Sequence, residues 1–496
     1  MLHDHVGADQ RVGPGQTQTR GSDGFAPMPL IAAVAHGVVA CVYRYWGGMS
    51  ITSDPGRNTW DWFWQTAPMD LLRDAPCETI VYFHAQPPLY NILGAVLGRV
   101  FYPDHLAALY TLYIILGTLM VLMSGFLLQY LIPQPIIRHV TLFVIAFFPA
   151  LFVYEAYILY TQLSAFWVLL SIFWIMRYQK TRQVRYLYLF VITLNLLILT
   201  RSLFHPIWLL IVLFILPLLV ETQRRRVVIV SAGINLLTVV FLLKNLVVFG
   251  FFGLSSWSGM NFYNIVEKER SDSELQSLVE TGVLDPVVVE VDVFSRPSKY
   301  IAYGFTETSD IPVLRRDDRN NINYIDISNT YGRNALALLK HDPATYLLNV
   351  GKAYMLYTYP SARFKHTVLN AEKMGLHEQL YNVFLGTGIS FDRGIIRIFP
   401  VWAMPLTLLA YVYDAFNRLR RTAWAWRAYL RQDTTLVFMF GLIVYGLIMG
   451  IFFEFGENER FKYLTEIPLI MLAAAMMARV FAGEYGVNRW ARRGDA

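Results

Sequence analysis

Cysteine and charge are both scarce in this sequence. Its 496 residues include only two cysteines, and 16% of the residues are charged. Cys41 lies inside an apolar run and Cys77 in a polar loop, so the two are expected to differ too much in depth to form a disulfide. The sequence therefore predicts neither a disulfide nor a cysteine-based metal site.

Repeats and basic faces are also lacking. No repeat of fixed period, no low-complexity tract and no matched pair of interrupted spans, the usual sign of a secondary transporter, is present. The formal net charge is +6, but Lys and Arg stand in short segments between apolar runs, which argues against nucleic-acid binding. Hydrophobic residues make up 55% of the chain and the mean hydropathy is +0.40. This composition indicates a polytopic membrane protein.

Ten apolar runs are long enough to cross a bilayer, which takes about 17 to 25 residues. They centre on Ala35, Ile115, Ile145, Val168, Thr193, Leu213, Thr238, Thr407, Ile443 and Met471. The sequence thus predicts an all-α polytopic fold with about ten transmembrane helices. The first run contains "VVAC" (38–41), which has the form of a lipoprotein cleavage box. The run continues past the cysteine and its leader is weakly basic, which favours an uncleaved signal anchor.

The basic connectors predict the orientation of these runs, because Lys and Arg are retained on the cytoplasmic side. The connectors at 177–185, 224–226, 418–431 and 489–493 fall on one side if ten spans alternate, so both termini are predicted to be cytoplasmic. The predicted segments are a cytoplasmic tail (1–25), a transmembrane module (26–250) with a first extracytoplasmic loop (47–105), a second extracytoplasmic segment (251–394), C-terminal transmembrane helices (395–482) and a basic cytoplasmic tail (483–496).

The first predicted loop contains acidic residues and the polar, proline-containing stretch "HAQPPLYN". "NTWDWFWQ" sets Asp61 among aromatic residues, with Asp54 shortly before it, a combination that suits sugar binding and proton transfer from a hydroxyl. Taken alone, the stretch fits an interfacial aromatic belt with solvated acids even better. "HAQPPLYN" follows, where two prolines predict an extended approach through His84 and Gln86 and then a helix.

Further polar residues lie at the predicted outer ends of the spans, where burial makes them costly and therefore candidates for function. Glu155 and Tyr157 end the third span, and Glu155 is equally consistent with a cavity and with a solvated turn. Arg201 and His205 stand four residues apart in "LTRSLFHPIW". An arginine here departs from the positive-inside pattern, so we favour a phosphate ligand over a snorkelling side chain.

Three more cations complete the candidates. Lys244 stands inside the seventh predicted span, and Arg460 and Lys462 belong to the charged turn "FEFGENERFKY". Lys244 could pair with an anion in a cavity or serve only packing. The charged turn could bind phosphate or remain a solvated turn.

These motifs, in this order and on one predicted side, resemble the GT-C superfamily of membrane glycosyltransferases. The nearest branch is that of the protein O-mannosyltransferases and aminoarabinose transferases, and the resemblance extends from about Phe25 to Arg479. It rests on the acidic first loop, "HAQPPLYN", the tyrosine and acid after the third span, "TRSLFHP", "KNLVVFGFFGLSSWSGMN" and "GENERFKY".

The resemblance implies a hexosyl or pentosyl transferase of a bacterial plasma (inner) membrane. Such an enzyme uses a polyprenyl-phosphate-linked sugar as donor and an extracytoplasmic glycan, lipid or protein as acceptor. By position, Asp61 or Asp54 would be the catalytic base and Glu155 the second acid. The first loop has no adjacent Asp-Asp or Asp-Glu pair, so the identity of the base and the need for a divalent cation stay open.

The remaining candidates are expected to bind substrate. Arg201, Lys244, Arg460 and Lys462 would stabilise the departing lipid phosphate, and His84, Gln86, Tyr157 and His205 would position the substrates. Two other classes compete with this interpretation: a lipid or polysaccharide transporter, and a non-catalytic assembly protein of the envelope.

Overall fold

The computed structural model describes residues 27–51, 60–305, 309–315, 320–384, 398–421 and 423–482. Within these ranges the chain forms 21 α-helices and four short 3₁₀ helices and contains no β-strand. The all-α prediction is confirmed for this part of the chain. The predicted terminal tails and Asp54 lie outside the described residues.

The N-terminal half contains the first eleven helices. They are α1 (Met28–Tyr45), α2 (Met69–Asp74), α3 (Pro76–Tyr82), α4 (Leu89–Phe101), α5 (His105–Leu131), α6 (Pro135–Ala146), α7 (Pro149–Glu155), α8 (Thr161–Thr181), α9 (Arg185–Thr200), α10 (Ile207–Leu219) and α11 (Arg224–Phe249). Pro149 separates α6 from α7, because a proline cannot continue the hydrogen bonding of the preceding helix. In the centre of the bundle, α8 packs against α5, α9, α20 and α21.

Ten further helices follow. They are α12 (Ser258–Glu267), α13 (Asp272–Glu280), α14 (Val287–Glu290), α15 (Tyr324–His341), α16 (Pro343–Tyr357), α17 (Val368–Glu372), α18 (Leu376–Phe384), α19 (Ile398–Arg421), α20 (Trp426–Phe452) and α21 (Asn458–Phe481). The 3₁₀ helices are Trp60–Trp62, Pro297–Tyr303, Pro312–Leu314 and Ser361–Arg363. From α12 to α18 the helices are mostly short and amphipathic, and α12 packs tightly against α15.

Six helices among the described residues are long and apolar enough to cross a membrane. They are Met28–Tyr45, His105–Leu131, Pro135–Glu155 (α6 and α7 together), Arg224–Phe249, Trp426–Phe452 and Asn458–Phe481. The protein is therefore an integral, multi-pass membrane protein. The other four predicted spans coincide with α8, α9, α10 and α19, of which α9 and α10 have only 16 and 13 residues. The predicted number of ten spans thus stays a prediction.

Candidate functional site

A cavity of about 830 Å³ lies where several connections of the bundle meet. Its wall comes from the segment after Trp60–Trp62, the α7–α8 connection, the turn after α9, helix α12 and the turn between α20 and α21. Helix ends and turns carry most of the polar side chains here, whereas the helix interiors supply apolar packing. The cavity therefore collects residues that are far apart in the sequence.

Two buried arginines form the cationic part of the cavity. Arg201 follows the last turn of α9 and is 3% exposed, and Arg460 lies in the first turn of α21 and is 2% exposed. The Arg201 guanidinium packs 4.3 Å from the ring centroid of Phe461. Arg460 donates from Nη1 to Glu457 Oε2 at 2.7 Å and from Nη2 to the Tyr160 hydroxyl at 3.3 Å.

The two arginines are not fully satisfied by the protein. Nη1 of Arg201 and Nε of Arg460 are buried and have no hydrogen-bond partner within the described residues. Burial, aided by repulsion from Arg460, lowers the pKa of Arg201 to about 10. A buried charge without a partner generally costs several kcal/mol. An anionic ligand could pair with these two guanidinium groups, so the arrangement suits such a ligand.

Aromatic residues of the first predicted loop line the same cavity. Trp62, Phe63 and Trp64 belong to its wall together with Gln65. The ring of Trp64 lies 6.4 Å from that of Trp257, which in turn lies 5.5 Å from Phe294. Rings with polar neighbours can stack on the apolar faces of a sugar and leave its hydroxyls to hydrogen-bonding side chains. The sequence pattern "NTWDWFWQ" thus contributes three of its four rings and its glutamine to the cavity.

Three of the predicted substrate-binding residues also lie in the cavity wall. Gln86 accepts a hydrogen bond from Ser202 Oγ at 3.1 Å, which holds its amide beside Arg201. Tyr157 follows α7, is 3% exposed and packs edge-on against Phe63. His205 lines the cavity, and its Nδ1 accepts a hydrogen bond from the backbone of Ile207 at 3.2 Å.

Asp61 is adjacent in sequence to Trp62 of the cavity wall, but its side chain binds the backbone at the start of α2. Its Oδ1 accepts a hydrogen bond from the backbone N–H of Met69 at 2.7 Å, at the start of α2. Free N–H groups at a helix start attract carboxylates, which explains the position. Asp61 itself is not part of the described cavity wall, so its role as base stays a prediction.

Glu155 is buried inside the helix bundle and does not reach the cavity. Its Oε1 lies 2.7 Å from Nε2 of His36 on α1, and the two side chains are 1% and 0% exposed. The His36 ring also stacks on Phe152, with centroids 4.5 Å apart. The sequence left a cavity and a solvated turn equally open for this acid, whereas the structure buries it against a histidine of another helix.

His84 ties the first loop to the middle segment. Its backbone N–H donates to Asn320 Oδ1, its Nε2–H donates to Asn320 O at 3.2 Å, and its Nδ1 accepts from the Ser256 hydroxyl at 2.8 Å. Burial lowers the pKa of His84 to about 4, so the ring is neutral at physiological pH. His84 thus fixes the approach to Gln86 rather than entering the cavity.

The two lysines predicted to bind phosphate lie outside the cavity wall. Lys244 Nζ donates to the backbone carbonyl of Phe83 at 3.2 Å. Lys462 Nζ donates to the carbonyl of Tyr359 at 2.6 Å and pairs with Glu466 at 3.2 Å. Both ammonium groups are engaged by the protein, and their predicted role in phosphate binding has no geometric support here.

Two acids in the cavity wall, Glu454 and Glu457, were not among the residues selected from sequence. They belong to the turn "FEFGENERFKY", where three acids followed by two basic residues are equally consistent with a solvated turn. The signal that could have identified Glu454 and Glu457 is their separation from Arg460 by six and three residues, respectively, in a turn between two spans. The cavity therefore combines cations, carboxylates and aromatic rings, which is sufficient for acid–base chemistry on an anionic, ring-bearing substrate.

A divalent cation finds no evident site in this cavity. Among the described residues, no group of three or more His, Cys, Asp or Glu side chains could hold a metal ion. The cavity carboxylates are accompanied by Arg201, Arg460 and Lys365, a positively charged setting that does not suit a cation.

Among solved structures, the comparisons with known proteins show a likeness of fold at low sequence identity. By sequence, no protein family matches the chain, and no curated protein is similar to it. A crystal structure of ArnT from Cupriavidus metallidurans in the apo state aligns over 93% of this chain and 79% of that chain, at 12% identity and a TM-score of 0.31. Because the two chain paths differ this much, we transfer no residue roles from it.

Proposed function

We propose that this protein is a glycosyltransferase that moves a hexose or pentose from a polyprenyl-phosphate-linked donor to an acceptor at the outer face of a bacterial plasma membrane. One observation carries the proposal: the wall of a single cavity in a multi-pass membrane protein combines two buried arginines with aromatic rings and carboxylates. Each part of the donor has a matching part of this wall.

The arginines match the donor phosphate. A phosphodiester between sugar and lipid carries one negative charge, and the phosphate gains a second charge when the sugar leaves. Arg201 has no ion pair within the described part of the chain, and Arg460 shares its charge with Glu457. Preorganised guanidinium groups that stabilise charge developing on a leaving group lower the barrier without reorganisation at the moment of reaction.

The aromatic wall matches the sugar. Trp62, Trp64 and Trp257 offer flat apolar faces, and Nε1 of Trp257 is buried without a partner within the described residues. Four amide side chains line the same cavity: Gln65, Gln86, Asn261 and Asn264. A pyranose or furanose stacked on such rings could satisfy these polar groups with its hydroxyls.

The apolar flank of α11 matches the lipid tail. Leu242 on α11 and Phe252 just after it line the cavity, and the Phe252 side chain is 64% exposed. Along the same helix Leu236, Val240, Leu243 and Val247 are exposed. A polyprenyl chain leaving the cavity beside Phe252 would lie along this surface, where the bilayer covers it.

The test distinguishes transfer from transport. The purified protein, reconstituted in proteoliposomes, is given a panel of polyprenyl-phosphate-linked pentoses, hexoses and aminosugars with a membrane extract as acceptor source. The proposal predicts, for at least one donor, free polyprenyl phosphate together with a sugar-bearing acceptor. Intact donor lipid that has moved to the other leaflet would indicate a transporter. If neither sugar transfer nor movement of the donor is detected, an assembly protein is favoured.

A further inference from the structure

Two carboxylates lie in the described part of the cavity wall, and they are held differently. Glu457 is fixed: its Oε2 pairs with Arg460 at 2.7 Å and its Oε1 lies 3.8 Å from Lys365 Nζ. The carboxylate of Glu454 makes neither a hydrogen bond nor an ion pair within the described part of the chain, although its residue lines the same cavity. Glu454 is therefore the acid whose carboxylate remains available to a substrate.

The turn between α20 and α21 places Glu454 rigidly. Asn458, which is fully buried, donates from Nδ2 to the backbone carbonyls of Gly450 at 2.6 Å and Glu454 at 2.9 Å. Its Oδ1 accepts a hydrogen bond from the N–H of Gly456 at 2.9 Å. Gly456 has a φ of +100°, a backbone conformation that residues other than glycine rarely adopt. The backbone that carries Glu454 is thus fixed by its own turn.

The surroundings shift the pKa values of the two carboxyl groups in opposite directions. Burial, and then the negative charge of Glu457, raises the pKa of Glu454 to about 8. Burial also acts to raise the pKa of Glu457, but Arg460 and Lys365 outweigh it, so that its pKa is lowered. The other charged or titratable groups around the cavity are Arg201, His205, His366, Tyr157 and Tyr160. Two acids separated in this way usually have separate roles in catalysis.

We propose that Glu454 is the general base of the transfer reaction, an inference that rests on the proposed function. The Glu454 carboxylate takes the proton of the acceptor hydroxyl while the hydroxyl oxygen forms a bond to the anomeric carbon of the sugar. The bond between that carbon and the phosphate oxygen breaks, and its electron pair stays on the lipid phosphate, which Arg201 and Arg460 bind. Glu457 keeps Arg460 in place and stays ionised.

The location of the base differs from the expectation for Asp61, Asp54 and Glu155. The Asp61 carboxylate binds the backbone at the start of α2, and Glu155 is paired with His36 inside the bundle. Glu454, in contrast, belongs to the cavity wall itself.

The test compares Glu454→Gln and Glu454→Asp with the wild type, and uses Glu459→Gln as control because Glu459 stands in the same segment outside the cavity wall. For Glu454→Gln, kcat is expected to fall by roughly 10²- to 10⁴-fold, the usual contribution of a general base. Binding of a polyprenyl phosphate without sugar is expected to remain at the wild-type level, which shows that the variant is folded. Glu459→Gln is expected to retain the wild-type kcat.

The pH profile provides a readout that a structural role would not affect. For the wild type, kcat/KM is expected to rise with pH and to reach half of its maximum near pH 8, because the base must be ionised. In Glu457→Gln the rise is expected at lower pH, since a negative neighbour is lost and Arg460 is freed. Wild-type kcat in Glu454→Gln would overturn this inference alone, whereas no turnover by the wild type with any donor would overturn the proposed function and this inference with it.

Discussion

His36 and Glu155 form a pair that must hold a proton between them. Nδ1 of His36 lies 2.8 Å from the carbonyl oxygen of Ala146, which can only accept, so this nitrogen carries a hydrogen. The contact from Nε2 to Glu155 Oε1 then needs one more proton, on either the imidazole or the carboxyl group. The pair joins α1 to the end of α7, so its role in this structure is that of a contact between helices.

Replacement of Glu155 separates this structural role from the predicted catalytic one. In Glu155→Gln the amide can still donate to His36 Nε2, so thermal stability in detergent and sugar transfer are expected to stay close to the wild type. In Glu155→Ala the His36 nitrogen is left buried without a partner, which costs about 1–3 kcal/mol. Loss of transfer by Glu155→Gln with unchanged stability would instead support a catalytic role.

At this scale the sequence predicted side-chain types better than side-chain partners. Arg201 and Gln86 were selected as polar groups near apolar runs, and both lie in the cavity wall. Lys244 and Lys462 gave the same signal, yet each is held by a backbone carbonyl. The carbonyl groups that hold the two lysines lie more than one hundred residues away in the sequence. A local sequence pattern contains no information about such distant partners.

At the scale of elements, the contact of α12 with α15 allows no side chain at Gly259. A Cβ there would lie 1.9 Å from the backbone oxygen of Ser328, which cannot move without α15. The N–H of Gly259 also donates to Ser328 Oγ at 3.1 Å. Since α12 carries Asn261 and Asn264 of the cavity wall, this close approach positions part of the site.

Gly259→Ala is therefore expected to destabilise the protein by about 1–3 kcal/mol, as overpacked contacts generally do. It should also raise the KM for the donor, because α12 moves away from α15. Gly351→Ala on α16 is the matched control, since nothing lies within 4 Å of its Cβ position. Equal melting temperatures for the two variants would show that the helices are not held this closely.

Helices with local start signals could be predicted from the sequence. In "SDSELQSLVE", the side chain of Ser271 accepts from the N–H of Glu274 at 3.2 Å and begins α13. Asp342 caps α16 by accepting from the N–H of Ala344 and Thr345, and Pro343 occupies its first position. The turn that fixes Glu454 depends on Asn458 and Gly456 in three dimensions and has no comparable signal.

For the whole molecule, hydropathy predicted a multi-pass helical protein, and this is confirmed by the six apolar helices of the described ranges. The count is less certain from sequence because α8 and α19 carry polar residues at their ends, while α9 and α10 are short. The sides of the membrane depend on the charged connectors, so the orientation stays a prediction.

Cys77 offers a direct test of that orientation. It is exposed on α3, in the first predicted extracytoplasmic loop, whereas Cys41 lies half-buried within α1. A membrane-impermeant maleimide is expected to label intact cells through Cys77, and Cys77→Ser should remove the label. Arg225→Cys in the Cys77→Ser background should be labelled only after permeabilisation, since Arg225 is predicted to be cytoplasmic. The reverse pattern would show that the orientation is inverted.

The central claim is that the cavity arginines bind the phosphate of a lipid-linked sugar and stabilise it as the sugar leaves. The most direct measurement is the release of polyprenyl phosphate by wild type, Arg201→Ala and Arg201→Lys, with Arg333→Ala as an exposed control on α15. We predict that Arg201→Ala slows release by roughly 10²- to 10³-fold, as loss of a preorganised donor does elsewhere. Arg201→Lys should be intermediate and Arg333→Ala unchanged. Release by folded Arg201→Ala at the wild-type rate would contradict the account.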